Sequence, residues 1–200
     1  MMFEIAEYIG IVAFAISGFF VAVRVKLDFL GTLISVFLTA LGGGIIRDIT
    51  VDKTPYTFTH NTPALTIFIV MVLLILFRFH RRDSIENKLL FILSDSIGLI
   101  SFSITGALIA LEAGLNLTGV LALAFVTAVG GGIIRDVIIN EVPFVLKTGF
   151  YGTIALLIGL VLYVLDVYGM VNYVALSIVF TVGMLLRIIA YYKKWAIPLV

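Results

Sequence analysis

The chain has no cysteine, two histidines and one tryptophan in 200 residues. Without cysteine there is no disulfide, no thiolate for zinc and no thiol nucleophile, and the redox compartment stays undetermined. The histidines, His60 and His80, fall between apolar runs rather than inside them. No His/Glu cluster, nucleophile–base pair or metal-ligand spacing occurs in any apolar run, which argues against an integral membrane enzyme. Charge is also scarce. Only 12% of residues are Asp, Glu, Lys or Arg, and the net charge of +1 gives no electrostatic case for a nucleic-acid partner.

Apolar residues fill the gap, at 62% of the chain with a mean hydropathy of +1.23. So little polar surface cannot cover a soluble globule, so the fold class is an all-α membrane protein. Apolar runs long enough to cross ~30 Å of hydrocarbon occur at 5–23, 29–51, 62–79, 91–112, 116–139, 149–168 and 171–190. They predict seven transmembrane helices joined by short loops in one membrane domain. Glu4 and Glu7 stand where a signal peptide would carry positive charge, so the first run is expected to be a retained span.

Lys and Arg set the orientation. With the N-terminus outside, eleven of them lie on the cytoplasmic side and only Arg47 and Lys53 on the outer side, which predicts N-out/C-in. The loop "RFHRRDSIENK" (78–88) supplies much of the bias. It reads as a topology anchor facing anionic membrane lipid, and bound lipid is the one ligand it suggests. Tyr191, Tyr192 and Trp195 read as interfacial anchors.

Shifted by 88 residues, the chain falls on itself: "IGIVAFAISG" (9–18) meets "IGLISFSITG" (97–106), and "TALGGGIIRD" (39–48) meets "TAVGGGIIRD" (127–136). Ten of thirteen positions agree between 36–48 and 124–136. The matches include Gly, Thr, Arg and Asp, so shared hydrophobicity does not explain them. Repeat one is 1–83, repeat two is 89–169, and the helix 171–190 has no counterpart. A unit of three spans is odd, so its second copy enters from the opposite face. The prediction is an inverted 3+3 repeat plus one extra helix.

The triplets Gly42, Gly43, Gly44 and Gly130, Gly131, Gly132 are expected to break the second and fifth spans. Each glycine costs a helix interior about 1 kcal/mol. Small residues also permit backbone-to-backbone packing. Two features tip the expectation toward a cavity: an ionisable pair follows each triplet at once, and both triplets lie at matched depth. An unwound backbone survives in a bilayer only beside protein or water. Its carbonyls would then bind K⁺ or Na⁺ directly near 42–44 and 130–132. Thr39 and Thr127, one turn upstream, and Ser17 and Thr105, from the first and fourth spans, would add hydroxyls or bond back to their own helices. Arg47, Asp48, Arg135 and Asp136 come one turn after the breaks, in two layers roughly 15–20 Å apart by helical rise. Neighbours in sequence point about 100° apart round a helix, so each charge is expected to find its partner on another helix or in water. Their role is either a gate and charge filter or ion pairs holding the repeats together.

Two copies of a three-span unit, each with G-G-G-x-x-R-D in its second span, plus a seventh span, resemble the trimeric intracellular cation channel (TRIC) family in its prokaryotic branch. That branch overlaps a bacterial family named for glycine transport. The likeness covers essentially the whole chain. It implies a homotrimer with one pore per protomer, monovalent cation permeation with K⁺ preferred, and glycine-kinked second and fifth spans beside the pore. It also implies that Arg47, Asp48, Arg135 and Asp136 line or gate the path. No cofactor is implied, and the short chain suits the plasma membrane of a prokaryote. The alternative is a secondary transporter of a small amino acid such as glycine. A zwitterion needs matched charges in one pocket, whereas these charges fall in two layers, which favours the channel.

Overall fold

The computed structural model describes residues 2–79, 85–147 and 150–195. Among these the protein is all helix: α1 Met2–Arg24, α2 Phe29–Thr50, α3 Tyr56–Thr59, α4 Thr62–Leu76, α5 Ile85–Glu112, α6 Leu117–Ile138, α7 Phe144–Lys147, α8 Tyr151–Val167 and α9 Tyr173–Tyr192. Helices α1, α2, α5, α6 and α9 are long and apolar enough to cross a membrane. The other two expected spans, α4 and α8, are apolar but have 15 and 17 residues. At helical rise they reach roughly 22–26 Å, a little short of the hydrocarbon thickness. Residues 80–84 of the basic loop 78–88 lie outside the described residues.

Local chemistry fixes the helix ends. Asp28 Oδ1 accepts from Gly31 N (2.7 Å) at the start of α2, and Asn116 Oδ1 accepts from Gly119 N (2.9 Å) at the start of α6. Asn172 does the same for α9 through Ala175 N (2.9 Å). These are side-chain N-caps, each typically worth ~1 kcal/mol. Asp52 and Asn140, 88 residues apart, both take the left-handed conformation just past α2 and α6. The short helices α3 and α7 follow Pro55 and Pro143. Each proline thus ends the preceding link and precedes a further helical turn.

Helix α1 packs on α2 and α5, α2 on α6, and α5 on α6, so the four form the centre of the bundle. Helix α4 rests on α1 and α2, α8 on α5 and α6, and α9 mainly on α5 and α8. Contacts recur at +88. Phe102 covers Gly10 and Phe14 covers Gly98, and the two rings meet with centroids 5.2 Å apart. Gly18 abuts Ser35, Val36 and Thr39, while Gly106 abuts Leu123, Ala124 and Thr127.

The expected break is absent. Helices α2 and α6 run unbroken through 42–44 and 130–132, and none of these six glycines has positive φ. Their helical carbonyls are therefore not loosened as cation ligands. Close packing explains the glycines instead. A Cβ on Gly43 would collide with the Thr127 carbonyl oxygen, and one on Gly131 would stand 2.6 Å from the Leu38 and Thr39 carbonyl oxygens. Backbone meets backbone where α2 crosses α6, as small residues allow in membrane helices.

Candidate functional site

The third glycine of each triplet differs from the first two. The nearest neighbour of a Cβ on Gly44 is Glu7 Oε1 at 3.3 Å, and on Gly132 it is Arg135 Nη2 at 3.8 Å. The triplets therefore combine helix contact at Gly43 and Gly131 with charged side chains rather than backbone beside Gly44 and Gly132, tightly at the first and with room at the second. Gly42 and Gly130 lie against the partner triplet, with Gly131 Cα 3.1 Å from a Cβ on Gly42.

Seven charged residues are buried among the described residues: Glu7, Arg47, Asp48, Asp95, Arg135, Asp136 and Arg187. Arg47 is 1% exposed. Its Nη1 donates to Glu7 Oε2 (2.6 Å) and to Thr105 Oγ1 (3.2 Å), and its Nη2 donates to Glu7 Oε1 (3.2 Å). Its Nε donates to Asp48 Oδ1 (2.8 Å), and the Phe3 ring lies 4.8 Å from the guanidinium carbon. Arg135 Nε and Nη2 both reach Asp136 Oδ1 at 2.8 Å, and Nη1 donates to Thr39 Oγ1 at 3.4 Å. The expectation that neighbouring Arg and Asp would not pair is therefore corrected. The long Arg side chain curls back over its own helix, so the 100° offset at Cα does not separate the charged ends. Partners on other helices are present as well, as expected.

Both aspartates also fasten the chain that follows. Asp48 Oδ2 accepts from Tyr56 N (2.9 Å), and Asp136 Oδ2 accepts from Phe144 N (2.8 Å). Each thus ties a long helix to the short helix after it. Beyond the spans, the Tyr56 phenol sits 3.2 Å from Tyr8 Oη; that hydrogen bond, above all, pushes its pKa up from the ordinary value.

The four candidate hydroxyls divide. Thr39 and Thr127 donate to Ser35 O and Leu123 O, both at 2.6 Å, which is back-bonding within their own helices. Thr39 still accepts from Arg135. Thr105 accepts from Arg47 while donating to Phe102 O (3.3 Å). Ser17 crosses from α1 to α5 and donates to Asp95 Oδ1 (3.1 Å).

Four buried residues were not singled out from the sequence: Glu7, Asp95, Tyr151 and Arg187. Glu7 and Asp95 are 88 residues apart, and an acid recurring at matched depth in an apolar run was the available signal. Arg187 was counted as a topology charge on the cytoplasmic side; it is 2% exposed, with its guanidinium carbon 4.7 Å from the Tyr151 ring centroid. Tyr151, Asp95, Arg135, Gly132 and Thr39 line a cavity of about 10 Å³, room for about one water. A second cavity of about 40 Å³ shares Arg135, Asp136 and Phe144 with the first and is also lined by Arg24, Glu141 and Lys147.

A duplicated bundle of apolar helices around buried, cross-linked arginines and carboxylates defines a polytopic membrane protein with a charged interior, since ions inside spans otherwise face prohibitive desolvation. The sequence model of the family described as "Glycine transporter" matches the chain twice, over residues 4–79 and 92–167. The UPF0126 membrane protein YvgT of Bacillus subtilis is 35% identical over 198 residues, covering 99% of this chain and 96% of that one. The UPF0126 inner membrane protein YadS of Escherichia coli K12 is 34% identical over 157 residues, covering 78% and 74%. A solved structure described by the basis for conductance through TRIC cation channels superposes with a TM-score of 0.87 at 37% identity, covering 100% of this chain and 98% of that one. A prokaryotic TRIC channel crystallised in 0.5 M KCl gives 0.88 at 33% identity, covering 98% and 99%. The chain belongs to this family, in which TRIC channels and the bacterial UPF0126 membrane proteins share one fold.

Proposed function

We propose that the protein is a cation channel, not an enzyme, conducting K⁺ in preference to Na⁺ through a pore in each protomer of a homotrimer. One observation carries the reading beyond the similarity to solved TRIC cation channels. The buried charges among the described residues are four carboxylates against three guanidiniums, a formal excess of one negative charge that favours a cation over an anion. The pore passes alongside α2 and α6 at Gly44 and Gly132, clear of their backbone contact at Gly43 and Gly131. Side-chain oxygens and water line it in place of freed carbonyls. Arg47–Asp48 and Arg135–Asp136 are its two charge layers. Arg135 and Asp136 line both small cavities, and conduction requires that layer to move.

The reading includes seven crossings, with α4 and α8 spanning by local thinning of the bilayer. The first and second halves are inverted in a prokaryotic plasma membrane, with the N-terminus outside. The matching family's description makes transport of glycine the second reading. Purified protein in planar bilayers decides between them. Unitary currents reversing near the K⁺ equilibrium potential are expected; silent bilayers together with saturable glycine uptake into liposomes would overturn the channel.

A further inference from the structure

The two halves differ by one methylene at their buried acid. In the first, Glu7 meets Arg47 with both carboxylate oxygens, at 2.6 and 3.2 Å. In the second, the corresponding residue is Asp95. Its Oδ1 is taken by Ser17 at 3.1 Å, and its buried Oδ2 makes no well-formed hydrogen bond among the described residues, with the Tyr151 hydroxyl as a weak donor to the carboxylate. Arg135, the counterpart of Arg47, is left with the aspartate beside it and a 3.4 Å bond to Thr39.

A second asymmetry lies at the same place. Helix α9, which has no counterpart, brings Arg187 within electrostatic reach of Asp95, as Arg135 is from α6. Arg187 Nε also lacks a hydrogen-bond partner among the described residues. An unmet acceptor and an unmet donor thus stand in one buried cluster, and Asp95 shares the one-water cavity with Arg135. A buried polar group left unpaired is costly, so such a cluster has a second arrangement within reach.

We propose that Asp95 is a positioning residue for the gate: by failing to reach Arg135 it leaves that layer movable, while Glu7 clamps Arg47 as the fixed layer. This rests on the channel reading. Opening carries the Arg135 guanidinium off Thr39 toward the free oxygen of Asp95, away from the lining that the two cavities share. Arg187 keeps the acid in place from the other side. The extra methylene of a glutamate at this position would complete a clamp like that of the first half and hold Arg135 across the path.

The test is Asp95→Glu in planar bilayers beside Glu7→Asp. Asp95→Glu is expected to lower open probability about tenfold with unitary conductance kept, the effect of one added charge-assisted hydrogen bond. Glu7→Asp is expected to raise it. A thermal-melting double-mutant cycle reads the same contact without current. Arg135→Lys should lower the melting temperature more in the Asp95→Glu background than in the wild type. An Asp95→Glu open probability equal to the wild type, or additive melting shifts, would overturn the inference. If the wild-type protein passes no current, the channel reading fails by itself, and the melting cycle alone decides whether residue 95 can clamp Arg135.

Discussion

Gly43 on α2 lies against the carbonyl oxygen of Thr127 on α6, and the same contact recurs, reversed, between Gly131 and Thr39. The two long helices touch through bare backbone at the centre of the bundle. Gly43→Ala therefore forces one backbone off the other, and over-packing of this kind typically costs ~1–3 kcal/mol. Gly132→Ala meets nothing closer than 3.8 Å and gains helix propensity, so it should be near neutral. Melting temperatures of the two variants in detergent compare them directly; equal shifts would contradict the contact.

The Glu7–Arg47 pair is buried, whereas the Lys53–Glu112 pair, 3.1 Å long, has side chains 44% and 67% exposed. Geometry alone ranks the two alike, but burial does not. Glu7→Ala strands a buried guanidinium and should cost ~3–5 kcal/mol. Lys53→Ala should cost under ~1 kcal/mol. Denaturation in mild detergent should show the contrast.

Asp48 and Asp136 each hold an arginine with one oxygen and a backbone amide with the other. Asparagine cannot accept both bonds, because its nitrogen only donates. Asp48→Asn should cost ~1–3 kcal/mol and speed hydrogen exchange at the Tyr56 amide. Asp136→Asn should do the same at the Phe144 amide. Unchanged exchange at both would dismiss the fastening role.

With no native cysteine, single cysteines report sidedness without background. Lys53→Cys, after α2, and Lys147→Cys, at the end of α7, are expected to react with impermeant maleimide from opposite faces of oriented vesicles. Labelling of both from one face would refute the inverted arrangement.

The helices were legible because long apolar runs speak locally; their caps at Asp28, Asn116 and Asn172 came from the structure. The 88-residue recurrence was legible too, whereas the pairing of Thr105 with Arg47 and of Thr39 with Arg135 emerged only from the packed helices. The triplets were misread because a glycine that permits a bend and one that permits contact look the same in one dimension. What decides is the facing surface, here the Thr127 and Thr39 carbonyls. The Arg–Asp pairing was hidden for a related reason, since Cα directions say little about a side chain as long as arginine. Asp95 and Arg187 were passed over because burial, not residue type, makes them unusual.

Of the three interior arginines, the one on α2 meets its acid from α1, so it can be neutralised as soon as two helices have left the ribosome. The acid on α5 has no such early companion: its seryl donor is already waiting on α1, but the guanidinium from α9 is translated last. During biogenesis that carboxylate would sit in the nascent bundle short of one basic neighbour until the final helix arrives. A nascent chain cut short before α9 should thus linger at the insertion machinery or be degraded.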